Sequence, residues 1–152
     1  MRLYRFSPII TEKQLLKAVK YIVRQNTILC KKITGKTFAI SYVTVFSHFP
    51  AEYQKLKNIC SKIGSQVSEN NGPKFELRKP IKIGKLSVGY LRIRNPDPYR
   101  MQVGCCDFVV EYDTVKELLS KTKNLRNVKR PDMEMIEFFH PDFDVLSYVV
   151  KK

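Results

Sequence analysis

Metal chemistry has little to work with in this chain. There are two histidines, His48 and His140, and four cysteines, none of them in a C-x-x-C pair. Cys30 and Cys60 stand alone, and the neighbours Cys105 and Cys106 lie on a strand-like run, where adjacent side chains point to opposite faces. Free, buried thiols are expected rather than a zinc site. Long apolar runs are also missing: none approaches the ~20 residues of a membrane span. The opening MRLYRFSPII is basic but has no apolar signal core or small-residue cleavage site, so the chain reads as cytoplasmic, with no membrane partner. No dinucleotide fingerprint, phosphate loop, zinc-protease helix or serine-nucleophile elbow occurs. A nucleophile pair of Cys105 or Cys106 with His140 has no local signature either. No cofactor is expected, and no catalytic residue can be named.

Acidic residues are scarce over the first hundred positions. Residues 1–100 hold 20 Lys/Arg against 5 Asp/Glu, whereas residues 101–152 hold 8 against 9. The net charge of +14 admits a polyanion-binding surface or simply lysine-rich helix faces in water. What the chain does have is 152 residues, 43% of them hydrophobic, which suits one domain with a substantial core.

Along the chain, Thr11 and Gln14 make a capping box, followed by Leu15, Ala18, Val19, Ile22 and Val23 at helical spacing. A weaker helical stretch ends at Gly35, and Asn26-Thr27 is the break if this segment holds two helices rather than one. Residues 1–35 thus read as an N-terminal helical appendage, whose amphipathic face could also serve a partner. Residues 37–46 alternate as a strand, residues 51–63 return to helical spacing, and short strands follow at about 65–67, 74–79 and 86–94. Beyond the elbow Asn95-Pro96-Asp97-Pro98 the order recurs. Residues 104–112 alternate, Thr114 and Glu117 form a second capping box for a helix to about 123, and strands follow near 128–130, 133–140 and 145–150.

Residues 36–94 and 101–152 therefore both spell β-α-β-β-β. Phe75-Glu-Leu-Arg-Lys-Pro80 parallels Ile136-Glu-Phe-Phe-His-Pro141, and LSVGYL (86–91) parallels LSYVV (146–150). Two matches in the same order point to internal duplication. The expected fold is α+β: two βαβββ modules forming a curved, cup-like mixed sheet with helices on its convex face. Alternation assigns Ala39, Val43, Val45, Leu91, Ile93, Cys106 and Phe108 to the covered face. Opposite parity places Phe38, Ile40, Tyr42, Thr44, Val88, Tyr90, Arg92, Arg94, Cys105, Asp107, Val109 and Glu111 in the cup. That face, mixed aromatic and charged, fits a small-molecule pocket or a half-exposed surface closed by another element.

The duplicated βαβββ order resembles the vicinal-oxygen-chelate superfamily of glyoxalases, extradiol dioxygenases and antibiotic-resistance proteins. The run Ser65-Gln-Val-Ser-Glu-Asn-Asn-Gly-Pro73, followed by Phe75-Glu-Leu-Arg-Lys-Pro-Ile-Lys-Ile-Gly84, is similar to the YecM-like branch. The resemblance implies a divalent metal in the cup, held by a His on the first strand of each half and a Glu on a later strand. Here those positions hold Tyr42, Asp107 and Arg92, so a metal-free pocket is expected. Tyr42, Tyr90, Arg92, Arg94 and Asp107 are then the candidate ligand-binding residues, with Arg100 near. The expected occupant is a small anionic or aromatic molecule, because Arg presents a planar fork to carboxylate or phosphate. Arg92 and Asp107 could hold it between them or form a structural ion pair. The alternative is a basic nucleic-acid or ribonucleoprotein-binding accessory protein, using Tyr90, Arg92, Arg94, Tyr99 and Arg100, where aromatics and cations interleave.

Overall fold

Thr11 opens the first helix by closing the capping box: its hydroxyl accepts from the Gln14 backbone, and the Gln14 side chain accepts from the Thr11 N–H. Helix α1 (Glu12–Thr34) then runs unbroken to Gly35, whose φ of 75° suits a residue without Cβ. Asn26 does not break it. That side chain is fully buried, with Nδ2 donating to the Ile22 carbonyl at 2.9 Å and to Cys106 Sγ at 3.3 Å. Its Oδ1 accepts from the Ser147 hydroxyl.

The computed structural model describes residues 3–152. After α1 come β1 (Ala39–Phe46), α2 (Pro50–Ile63), β2 (Gly64–Glu69), β3 (Pro73–Ile83) and β4 (Leu86–Arg94). The second series is β5 (Gly104–Val109), α3 (Tyr112–Lys116), β6 (Leu125–Arg130), β7 (Met133–Phe138) and β8 (Val145–Val150). The strands form one mixed sheet in the order β2-β3-β4-β1-β5-β8-β7-β6. β1 runs parallel to β4, β5 runs parallel to β8, and β1 and β5 meet antiparallel at the centre. The two halves are thus related by an approximate twofold axis through the middle of the sheet, and the α+β architecture of paired βαβββ units is present.

Both long helices cover the same face. Val43, Val45, Leu91, Ile93, Cys106 and Ile136 pack beneath them in a single core with Leu15, Val19 and Ile22 of α1 and Leu56 and Cys60 of α2. The expected appendage is therefore integral: α1 lies over β1, β5 and β8, while α2 covers β2, β3 and β4. With α1 over the second half, α3 is short. Its continuation tightens into turns bonded Leu118 N to Val115 O and Leu119 N to Lys116 O. Glu111, not Thr114, precedes its first turn, so the second capping box is not made.

Strict alternation also fails in places: the pairings of β2 with β3 and of β3 with β4 slip as well as that of β1 with β5, and Val88, expected in the cup, is buried in the core. Between Ile40 and Tyr42 the register of β1 on β5 slips, so Ser41 is an extra residue in a bulge. One extra residue reverses parity: Phe38 and Ile40 join the core, Phe38 edge-on to Phe108, and Ala39 is exposed. Among the described residues no helix is long and apolar enough to cross a membrane.

Candidate functional site

The uncovered face of the sheet takes the residues that alternation sends away from the core. At the centre Tyr42 of β1 lies directly opposite Asp107 of β5, and Thr44 lies opposite Cys105. In the parallel β1–β4 pair Arg92 stands beside Thr44, and Arg94 beside Phe46. A cavity of about 170 Å³ opens above them. Asn71, from the turn joining β2 and β3, and Met133, from the far strand β7, both line it, so the sheet curls enough to bring its flanks to one hollow.

The turn over the first flank depends on its glycine. Gly72 has φ 113°, and a Cβ there would sit 1.9 Å from the Ile93 carbonyl oxygen. Asn71, itself at φ 53°, accepts through its carbonyl from the Asn95 N–H at 3.2 Å. Backbone approach that only glycine permits therefore presses Asn70 and Asn71 against the cavity mouth.

Charge in the cavity is lopsided and unpaired. Arg92, Arg94, Arg100 and Arg130 all line it, against Asp107 and Asp132. None of these six side chains takes part in an ion pair among the described residues. Arg92 does not reach Asp107. Its Nη1 donates instead to the Tyr42 hydroxyl at 3.0 Å, and its Nε is buried without any hydrogen-bond partner among the described residues. Burial pushes the Asp107 carboxyl up to about 6, against the opposing pull of the Tyr42 hydroxyl, Arg92 and Lys74. Tyr42 is also pushed upward, chiefly by burial and then by the Asp107 charge. Lys74 lies 4.0 Å over the Tyr42 ring and Arg94 4.8 Å over Phe46, and burial lowers both cations from their usual range.

A row of polar side chains crosses the sheet through this centre. In the second half Asp107 pairs with Tyr148, whose hydroxyl donates to Glu137 Oε2 at 2.7 Å. In the first half Tyr90 pairs with Glu76 and donates to its Oε2 at 2.8 Å. The two Tyr–Glu pairs are counterparts under the twofold, with different surroundings. Glu137 is buried and bonded by Arg126, whereas Glu76 and Tyr90 are exposed.

Of the candidate residues, Tyr42, Arg92, Arg94 and Asp107 line the cavity. Tyr90 does not: it has the right parity but lies two residues before Arg92 along β4, held by Glu76. Asn70, Asn71, Arg130, Met133, Met135 and Tyr148 are cavity residues that the sequence reading did not single out. Tyr148 was within reach, because the duplicated Glu76 and Glu137 each face a tyrosine. Cys105 lines the cavity, but burial lifts its thiol to about 12. Cys106 points into the core and is likewise raised by burial, so neither thiol is an available nucleophile.

The donor set does not suit a divalent cation. Among the described residues no three His, Cys, Asp or Glu side chains converge, and four arginines against two aspartates line the cavity. His48 is committed elsewhere, accepting from Ser7 at 2.6 Å through Nδ1 and donating to the Gln102 carbonyl at 3.2 Å through Nε2, with Tyr4 stacked on its ring.

No family model matches this chain, and no curated protein matches it. Among solved structures, the fold is similar to that described as "Structural Genomics, Protein EC4020", with a TM-score of 0.71 at 10% identity, covering 100% of this chain and 92% of that one. At that identity the likeness concerns the fold alone.

Proposed function

We propose that this chain is a metal-free ligand-binding protein of the vicinal-oxygen-chelate type, and that its cup holds a small organic anion. One observation carries the reading: four arginines surround one cavity without an ion-pair partner among the described residues, and Arg92 Nε is buried with no acceptor. A buried donor left unbonded costs about 1–3 kcal/mol, which an anion seated against Arg92 would offset. Tyr42 fixes one edge of the guanidinium and leaves Nε for the ligand. Support for the family comes from the paired βαβββ order and from the Asn70-Asn71-Gly72 turn, which belongs to the run resembling the YecM-like branch and reaches the cavity mouth. The free, buried cysteines suit a reducing compartment, the cytoplasm.

Small carboxylates and phosphate, titrated into the purified chain, are expected to raise its unfolding midpoint with the logarithm of their concentration above Kd, whereas neutral analogues are not. Arg92→Gln is expected to weaken that binding by about tenfold or more, as loss of a charge-assisted hydrogen bond does. Elemental analysis of the same preparation should find no stoichiometric metal. A midpoint indifferent to every anion would end the reading, and a full equivalent of zinc, iron or manganese would end its metal-free part.

A further inference from the structure

The twofold relation makes the two walls of the cup comparable residue by residue. Tyr42 faces Asp107 across the axis, and the Glu76–Tyr90 and Glu137–Tyr148 pairs fix the register outward from it. Two residues further along the strands, Lys74 pairs with Arg92 in the first half, and Met135 pairs with Val150 in the second. Equivalent positions have therefore diverged in chemistry: Arg92 lines the cavity, with Lys74 beside it but outside the lining, where the opposite wall has Val150 and Met135. Arg94 extends the cationic wall, and Met133 extends the apolar one. At the mouth of the apolar side Arg130 and Asp132 are both exposed and of opposite sign, so they add little net charge.

We propose that the ligand is an amphipathic organic anion, in class a single-ring aromatic carboxylate, with its charged group against β4 and its ring against β7 and β8. This rests on the anion-binding reading of the cup and adds the second half of the ligand. A guanidinium fork matches a planar carboxylate, and the Nε–Nη2 edge of Arg92 is unbonded among the described residues, Nη1 being taken by Tyr42. Apolar side chains on the uncovered face of a sheet call for a partner, because that face is ordinarily polar. Methionine sulfur and methyl groups pack well against aromatic rings. The size agrees: a cavity of about 150 Å³ accepts benzene, and this one has about 170 Å³.

The test is a calorimetric titration of the full chain with benzoate, acetate, inorganic phosphate and benzyl alcohol. Benzoate is expected to bind about tenfold or more tighter than acetate, the gain that burying part of one ring provides. Benzyl alcohol, which has the ring without the charge, is expected to bind at least about tenfold more weakly than benzoate. Met135→Lys, which rebuilds the apolar wall in the image of Lys74, is expected to abolish the preference for benzoate over acetate while acetate still binds. Val150→Thr, a gentler change on the same wall, is expected to reduce the preference and serves if the lysine variant does not fold. Acetate or phosphate binding as tightly as benzoate would overturn the amphipathic ligand and leave the anion site standing. Benzyl alcohol binding as tightly as benzoate would also overturn it. Failure of all three anions to bind would remove the anion site itself, and this inference with it.

Discussion

Asp107 is the residue whose behaviour the cup controls most directly. Its folded value of about 6 lies above the ordinary 3.8, so between those values the native state holds a proton that the unfolded chain has released. The stabilisation from the protonated carboxyl is full below the ordinary value and is lost as pH rises through about 6. Asp107→Asn keeps the shape and removes the charge. It is expected to stabilise the chain at pH 8 by about 1–3 kcal/mol and to change it little near pH 4. Urea unfolding of both proteins at the two pH values measures this, and a difference independent of pH would contradict the burial of this carboxylate. A neutral Asp107 also repels an anion less, so benzenesulfonate, which stays ionised throughout, should bind tighter as pH falls past 6 and lose that dependence in Asp107→Asn. Tyr42, Arg92, Arg94 and Asp107 were legible because period-two alternation separates them cleanly from Val43, Leu91, Ile93 and Cys106. Alternation gives the face of a strand and not the distance along it, which is why Tyr90 was included and lies outside the cavity. Met133 and Met135 read only as ordinary apolar strand residues, since their sharing a hollow with Arg92 and Arg94 is a property of the assembled sheet.

At the scale of elements, α1 is where local pattern and tertiary role part company. Its apolar stripe was plain in Leu15, Ala18, Val19, Ile22 and Val23, yet its place in the domain was not, because β5 and β8, which it covers together with β1, are separated from it by the whole first module. Asn26 looked like an interruption for the same reason: Cys106 and Ser147, which satisfy it, lie 80 and 121 positions away. Removing residues 1–35 would uncover Val43, Val45 and Cys106, all fully buried. The shortened chain is expected to show no cooperative thermal transition, and a sharp one by calorimetry would mean that α1 is dispensable after all. Asn26→Ala is the milder probe. It leaves the Ser147 hydroxyl without an acceptor in the core and is expected to cost about 1–3 kcal/mol in denaturant unfolding. The Ser41 bulge was invisible from sequence for a related reason, since nothing local marks an extra residue that only the pairing with β5 defines.

Over the whole molecule, duplication was the most readable feature, and its register was read partly wrong. Matching Leu86-Ser87 to Leu146-Ser147 offsets the last strands by two, whereas pairing sets Leu91 against Phe75 and Val149 against Ile136. The discrepancy has a local source. β3 carries extra residues between Glu76 and Ile81, so the first hairpin is longer than the second. A shift of two keeps every side chain on its face, so the cup survived the misalignment. Positive charge also lies on the other side of the sheet. Lys13, Lys17 and Arg24 on α1 and Lys55 and Lys62 on α2 are exposed on the helical layer, away from the cavity arginines. The molecule thus carries two separate basic surfaces, one solvated on the helical layer and the other lining the cavity. Binding of duplex DNA or RNA by the convex layer should be non-specific and fall by orders of magnitude between about 50 and about 200 mM salt. Lys17→Glu combined with Arg24→Glu should weaken it, while Arg92→Gln and saturating benzoate should leave it unchanged. Nucleic acid that is displaced by benzoate, or lost in Arg92→Gln alone, would instead place the polyanion in the cup, because only an occupant of the hollow can compete with a ligand that the helices screen from the basic face.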